Sequence, residues 1–244
     1  MPDEDPILVE TRDGKMLITL NRPEVLNAQN DPLRAGLIAA LDRFEADDQL
    51  GVALVMGSGR AFSAGADLKE GPSASGGRAR FAHFDRLDRC RKPLIACIHG
   101  YAVGGGLELA LCCDIRVATE DALLGTPEPR TIASAPGVAA PRLGRLMPLG
   151  EALKLMLTSQ PISGRRAYDV GLVQEVARDQ EALRLVADGL ADRMLECSPA
   201  ALASVKQIAR TPVELEMSSI QRLESLGWID GSPRAHASRG PRPA

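Results

Sequence analysis

Three short segments carry residue types and spacings that could do chemistry. In the first, Gly104-Gly105-Gly106-Leu107-Glu108, a glycine cluster stands between an apolar strand pattern and an apolar helical run. A strand that turns through glycines into a helix leaves free backbone N–H groups at the helix start, in a positive partial field. Such a place binds an anion or stabilises a developing oxyanion. Glu108 is three residues past Gly105, which puts its side chain on the same helix face as that amide. Taken alone, the segment is better read as a tight turn with a dipole-favoured glutamate. The second segment, Ala61-Phe62-Ser63-Ala64-Gly65-Ala66-Asp67-Leu68-Lys69, also follows a strand pattern. Small residues at 64 to 66 let a ligand approach the backbone closely, although a simple turn fits equally. The third, Pro127-Glu128-Pro129, fixes a carboxylate between two prolines after a short strand; its plain alternative is a rigid solvated loop.

Other chemistries find weaker support. No G-x-x-x-x-G-K-[ST] phosphate loop occurs, and Gly57-Ser58-Gly59-Arg60-Ala61-Phe62 lacks the third glycine of a dinucleotide fingerprint. Ser63 with His83 or His99 would be the material for a serine nucleophile, but the G-x-S-x-G elbow is absent. His83 reads as a surface residue and His99 as a strand-end packing residue. With three histidines in all, no spacing suits zinc.

The elements that must position these segments follow from periodicity and punctuation. Ile7–Arg12 and Lys15–Leu20 are β-type runs around Asp13-Gly14, a strong hairpin signal. A helix starts at Asn30 or Asp31 as cap with Pro32 in its first turn, and Leu33, Leu37, Ile38, Leu41 and Phe44 give it one buried face. Val52–Met56, Leu94–Ile98, Ile115–Ala118 and Leu123–Leu124 read as strands, and Leu172–Val176 as the last one. Glu70–Gly77 is a Gly/Ser-rich surface loop, and Arg78–Arg91 is helix-compatible. Glu151–Thr158, Arg165–Val170, Glu181–Cys197, Pro199–Ala209 and Glu214–Leu226 read as helices. Alternating strands and helices argue for an α/β fold whose early units are two strands followed by a helix.

The 244 residues suffice for a large core without disulfides or structural metal. A net charge of -3 disfavours nucleic acid as main partner. Aromatic residues at 3% leave little for base-stacking platforms. The sequence has no apolar run of membrane-spanning length, and the acidic start MPDEDP is unlike a secretory signal. Five cysteines without a C-x-x-C pair read as thiols, with Cys97, Cys112 and Cys113 buried, in a reducing compartment. A cytoplasmic protein is expected.

Taken together and in order, the segments resemble the enoyl-CoA hydratase (crotonase) family. The matching pieces begin with Ile18-Thr19-Leu20-Asn21-Arg22-Pro23 and Leu26-Asn27-Ala28, followed by Phe62–Lys69 and Lys92-Pro93-Leu94-Ile95-Ala96. They continue with His99–Ala110, Cys113-Asp114-Ile115, Pro127-Glu128, Pro136-Gly137 and Arg142-Leu143. The resemblance runs from about Met16 to Val176 and more weakly to about Leu226. It implies a crotonase-like (ClpP/crotonase) α/β fold of repeated ββα units with a C-terminal helical region. The corresponding division is an acyl-CoA-binding core at 1–195, a helical oligomerisation region at 196–231 and an unstructured tail at 232–244.

By the same resemblance, the amides of Ala66 and Gly105 form an oxyanion hole for an acyl-CoA thioester carbonyl. Glu108 positions and helps activate a water, and Glu128 exchanges the proton. Ala28, Ala64, Asp67, Leu68 and Lys69 fall where the family contacts coenzyme A, which is part of the substrate, so no separate cofactor or metal is implied. The implied reaction is reversible syn hydration of a 2-enoyl-CoA, by a homotrimer or dimer of trimers away from membranes and nucleic acid. Double-bond isomerisation, a specialised acyl-CoA dehydration, and an idle scaffold or RNA-binding relative are the alternatives. Two departures mark this chain: after Glu128 the Pro-Gly pair sits one residue late with alanines in place of glycines, and Ser232–Ala244 is a Pro/Arg tail.

Overall fold

Asp13-Gly14 reverses the chain between two apolar runs. In the computed structural model, which describes residues 5–70, 81–131 and 137–210, β1 (Ile7–Arg12) therefore pairs antiparallel with β2 (Lys15–Leu20). The later strands are β3 (Val52–Gly57), β4 (Leu94–Ile98), β5 (Tyr101–Val103), β6 (Ile115–Thr119), β7 (Leu123–Gly125), β8 (Ile162–Ser163) and β9 (Glu175–Ala177). One sheet has the order β1-β2-β3-β4-β6-β9, parallel from β2 onward; the other has the order β5-β7-β8.

Parallel strands need cover on both faces, and the apolar alternation supplies two. Val52, Leu54, Ile95, Cys97 and Val117 point to one side, where helix 180–195 (Gln180–Leu195) covers them with Leu183, Ala187 and Ala191. Ala53, Val55, Ala96 and Ile98 point to the other and join the main core with Leu33, Leu37, Leu41 and Phe44 of α1 (Asp31–Ala46). The Asn30 side chain caps α1, accepting from the Leu33 amide at 3.1 Å.

The repeated ββα units are recognisable: β1-β2-α1, then β4-β5 leading into α3 (Gly105–Cys112), with α2 (Ala82–Asp88) lying before β4. In the unit ending at α3 the two strands belong to different sheets, so the glycine turn sits where the sheets diverge. Every residue of α3 from Gly106 to Cys112 is buried, Glu108 among otherwise apolar or small ones, as a helix with apolar residues on all its faces requires.

Some expectations are revised. The last strand is Glu175–Ala177 rather than Leu172–Val176, because the Leu172 and Val173 amides both bond the Ala167 carbonyl and buried Arg116 binds the Leu172 carbonyl. His83 is buried rather than on the surface. Glu128 opens a one-turn helix, α4 (Glu128–Thr131), and helices α5 (Ala139–Leu146) and α6 (Leu149–Thr158) follow. The helix α7 (Gly164–Asp169) precedes β9; α8 is the 180–195 helix, and α9 (Pro199–Arg210) is held by Lys206 and Arg210 to Asp114 at 2.7 and 2.8 Å. The helix expected at 214–226, the tail 232–244, and residues 71–77 of the Gly/Ser loop lie outside the described residues.

One loop residue bears on everything downstream. Asn27 has a left-handed backbone (φ 55°) and is fully buried. Its carboxamide accepts from the Arg22 amide at 2.8 Å and donates to the Ser58 and Ala61 carbonyls at 2.9 and 2.7 Å. It thereby ties the β2–α1 connection to the segment after β3. Asn27→Ala strands those three groups, so urea unfolding is expected to show a loss of about 3 kcal/mol.

Candidate active site

After β3 the chain runs alongside β5 in the same direction: the Ser63 amide donates to the Tyr101 carbonyl at 2.9 Å and the Val103 amide to the Ser63 carbonyl at 3.2 Å. Gly65 (φ 89°) then turns the chain toward Gln29, whose amide donates to the Gly65 carbonyl at 2.7 Å. On the far side, Gly106 packs so tightly on Ser63 that a Cβ there would overlap its carbonyl oxygen. These contacts bring the Ala66 and Gly105 nitrogens together. A Cβ built on Gly65 would stand 2.9 Å from the Gly105 nitrogen, and one on Gly105 would stand 3.4 Å from the Ala66 nitrogen. Neither N–H has an acceptor among the described residues. Two converging donors at a helix start can bind one oxygen and gain strength as it becomes anionic.

The two glutamates flank this turn in different settings. Glu108 is 6% exposed, and its Oε1 accepts from the Val138 and Ala139 amides at 2.7 and 3.1 Å, which fixes the carboxylate. The Gly104 amide donates to the Gly125 carbonyl at 3.0 Å, drawing the end of β7 to the turn. Glu128, three residues on, sets its Oε1 against Gly104, 3.0 Å from where a Cβ would lie. Its Oε2 is buried without a partner among the described residues. Burial pushes the Glu128 carboxyl above its ordinary range; a bond from its own amide opposes this, and the Glu108 charge reinforces it. One carboxyl is thus oriented by amides while the other is driven toward its neutral form, as acid–base chemistry between a pair requires.

The remaining expected ligand residues gather at the edge of the same turn. Arg22 joins two of them, donating to the Ala28 carbonyl at 2.6 Å and pairing with Asp67 at 2.9 Å. This Arg22 bond chiefly lowers the Asp67 pKa, against some desolvation. The Ala64 amide donates to the Leu26 carbonyl, and Leu68 and Lys69 are exposed. Arg22 belonged to the matching sequence, but its role as tether had no local signal. Gln29 was missed, and His83 was weighed only as a partner for Ser63 and read as a surface residue: both are buried here, with His83 Nε2 3.1 Å from Gln29 Oε1.

A serine triad is not assembled. The Ser63 hydroxyl donates to the Asn27 carbonyl at 2.8 Å and accepts from the Gly65 amide, while His99 Nε2 faces the Gly59 carbonyl. Among the described residues, no group of three or more His, Cys, Asp or Glu is placed to hold a metal ion. No helix among them is long and apolar enough to cross a membrane.

A family model for enoyl-CoA hydratase/isomerase matches residues 10–226. The chain belongs to this family. It is 37% identical over 225 residues to a probable enoyl-CoA hydratase of Rhizobium meliloti (strain 1021), covering 90% of this chain and 87% of that one. It is 36% identical to the 2,3-dehydroadipyl-CoA hydratase of Escherichia coli (strain K12), covering 87% and 85%. The crystal structure of enoyl-CoA hydratase from Bacillus anthracis superposes with a TM-score of 0.84 at 31% identity, covering 91% and 89%. The fold is accordingly the crotonase-like one.

Two measurements check this geometry. A methyl at position 65 meets the Val103 carbonyl at 2.7 Å as well as the Gly105 nitrogen, in a left-handed backbone. Gly65→Ala is therefore expected to lower stability by about 2 kcal/mol in urea unfolding. His83 is neutral in the fold because burial lowers its pKa from 6.5 to about 3. The unfolded chain binds a proton there below about pH 6.5, so stability is full above that pH and falls toward pH 3. Between pH 6.5 and 5 this amounts to about 2 kcal/mol, which His83→Gln should remove from the pH dependence of unfolding.

Proposed function

We propose that this protein is an enoyl-CoA hydratase that adds water reversibly and syn to a 2-enoyl-CoA thioester. The observation that carries the reading is the pair of amides, Ala66 and Gly105, without an acceptor among the described residues and beside two carboxyls in contrasting environments. Relatives named as enoyl-CoA hydratases along most of the chain support it.

In this reading the thioester oxygen accepts from the Ala66 and Gly105 N–H groups, which form the oxyanion hole. Water held by Glu108 attacks the β-carbon and gives up a proton to that carboxylate. The double-bond electrons move to the thioester oxygen as an enolate. Glu128 then delivers its proton to the α-carbon on the same face and regains one by exchange with Glu108. The sum is one H and one OH added across the double bond. One oxyanion donor of this kind contributes roughly 3 kcal/mol to the transition state.

Ala28, Ala64, Asp67, Leu68 and Lys69 would contact the coenzyme A portion, which enters as part of the substrate. The exposed Leu149, Leu153 and Leu157, one apolar stripe on α6, support assembly into a homotrimer or dimer of trimers. The reaction would take place in the cytoplasm.

Loss of the conjugated thioester absorbance of crotonyl-CoA and longer 2-enoyl-CoAs tests the reading; no loss at any chain length sinks it. Glu108→Gln and Glu128→Gln should each lower kcat about 10²- to 10⁴-fold while still binding butyryl-CoA. Near-normal turnover in either removes the role assigned to that residue. A 3-enoyl-CoA converted faster than any 2-enoyl-CoA would replace hydration by isomerisation.

A further inference from the structure

Behind the paired amides lies a polar side chain that the reaction itself does not need. Gln29 is 2% exposed, and its neighbour His83 1%. Gln29 touches both amide-bearing turns. Its backbone binds one, accepting from the Asp67 amide at 3.2 Å and donating to the Gly65 carbonyl. Its side-chain Nε2 binds the other, donating to the Gly105 carbonyl at 2.9 Å, with the Ser63 hydroxyl at 3.5 Å.

The hydrogen-bond roles are forced. The Gly105 carbonyl only accepts, so the carboxamide must present its nitrogen there. Its Oε1 therefore faces His83 Nε2, which must carry the imidazole proton. The bare nitrogen is then Nδ1, the atom left buried without a partner among the described residues. Arg34, whose guanidinium donates to the Gln29 backbone carbonyl at 2.5 Å, disfavours protonation of His83 and so adds to the burial that keeps the ring neutral. A leucine at 29 would fill similar space without burying a carboxamide and without calling for a histidine donor. An orphaned ring nitrogen in the core costs stability.

We propose that Gln29 is a positioning residue that holds the Ala66 and Gly105 amides at their working separation, with His83 locking its carboxamide orientation. The inference rests on the oxyanion-hole reading above. Neither side chain touches substrate in this assignment; both act through the Gly105 carbonyl and, by way of Gln29, the Gly65–Ala66 peptide.

The test combines turnover of crotonyl-CoA with the infrared carbonyl stretch of bound butyryl-CoA, which falls as the two amides grip the oxygen. For Gln29→Leu we expect kcat 10- to 100-fold lower, KM within threefold, and a smaller fall in the carbonyl stretch. His83→Leu should give a weaker change of the same kind, His83→Gln should restore it by supplying an N–H at the same place, and the Gln29→Leu/His83→Leu double variant should be no worse than Gln29→Leu. If Gln29→Leu does not fold, the two His83 variants decide. Normal kcat and an unchanged carbonyl stretch in Gln29→Leu, or in His83→Leu where that variant must decide, overturn the proposal and leave the hydratase reading intact. If the wild-type protein turns over substrate with an unshifted bound carbonyl, the oxyanion-hole reading falls and this proposal with it.

Discussion

The site depends on the geometry of two trans peptide units. In a trans peptide the C=O and N–H point in opposite directions, so a bond that anchors the carbonyl aims the N–H on the other side. The Gly65 carbonyl is anchored by the Gln29 amide at 2.7 Å, and this aims the Ala66 N–H. The Gly104 carbonyl is anchored by the Glu108 amide at 3.0 Å, the first turn of α3, and this aims the Gly105 N–H. What remains is to bring the two planes within reach of one oxygen. The pairing of 61–64 with β5 does so, together with the close packing of Gly106 on Ser63.

The ion pairs around the turn serve this geometry. Arg22–Asp67 and the Arg34 pairs with Asp31 and Glu70 all lie at the rim, with at least one partly exposed member. They restrict where the loops carrying Ala28 and Ala66 can go. Inside the rim the balance differs: Glu108 has its Oε1 on two amides, while Glu128 keeps an oxygen with no donor among the described residues. The contrast between the carboxyls comes from this distribution of N–H groups and from burial rather than from residue type.

Much of this was legible in sequence, and what was not has a common cause. The hairpin, α1 with its Asn30 cap, the buried strands β3 and β4, and α3 rest on local patterns, turn residues and periodicity, and they match the structure closely. The glycine turn and Glu108 stood out because small residues mark places where backbones must approach, and Glu128 because two prolines flank it. Strands β5 and β8 are three and two residues long and went unread, whereas β7, equally short, was read from its Leu123-Leu124 pair. Leu172 and Val173 look like strand residues because they are buried, but their amides are engaged by a turn. His83 looked exposed because it lies in a charged stretch; its partner Gln29 is 54 residues away, and no local pattern reports such a pairing.

The elements bearing the two carboxyls are unequally embedded. Glu108 rides on a helix buried on every side from Gly106 to Cys112. Glu128 sits on a four-residue helix with no buried residue, tied by the Gly104–Gly125 bond, by bonds to the Pro127 carbonyl, and by Arg130 to the Thr158 carbonyl. Segments with few buried contacts open and shift at lower free-energy cost than core elements. Carbonyl polarisation by two amides serves any reaction that passes through an enolate; the carbon that receives a proton is set by where the second carboxyl stands. In the proposed reaction the proton-delivering carboxyl is therefore the less embedded of the two, carried on α4, while the carboxyl that holds the water rides on the buried α3 and is fixed by the Val138 and Ala139 amides.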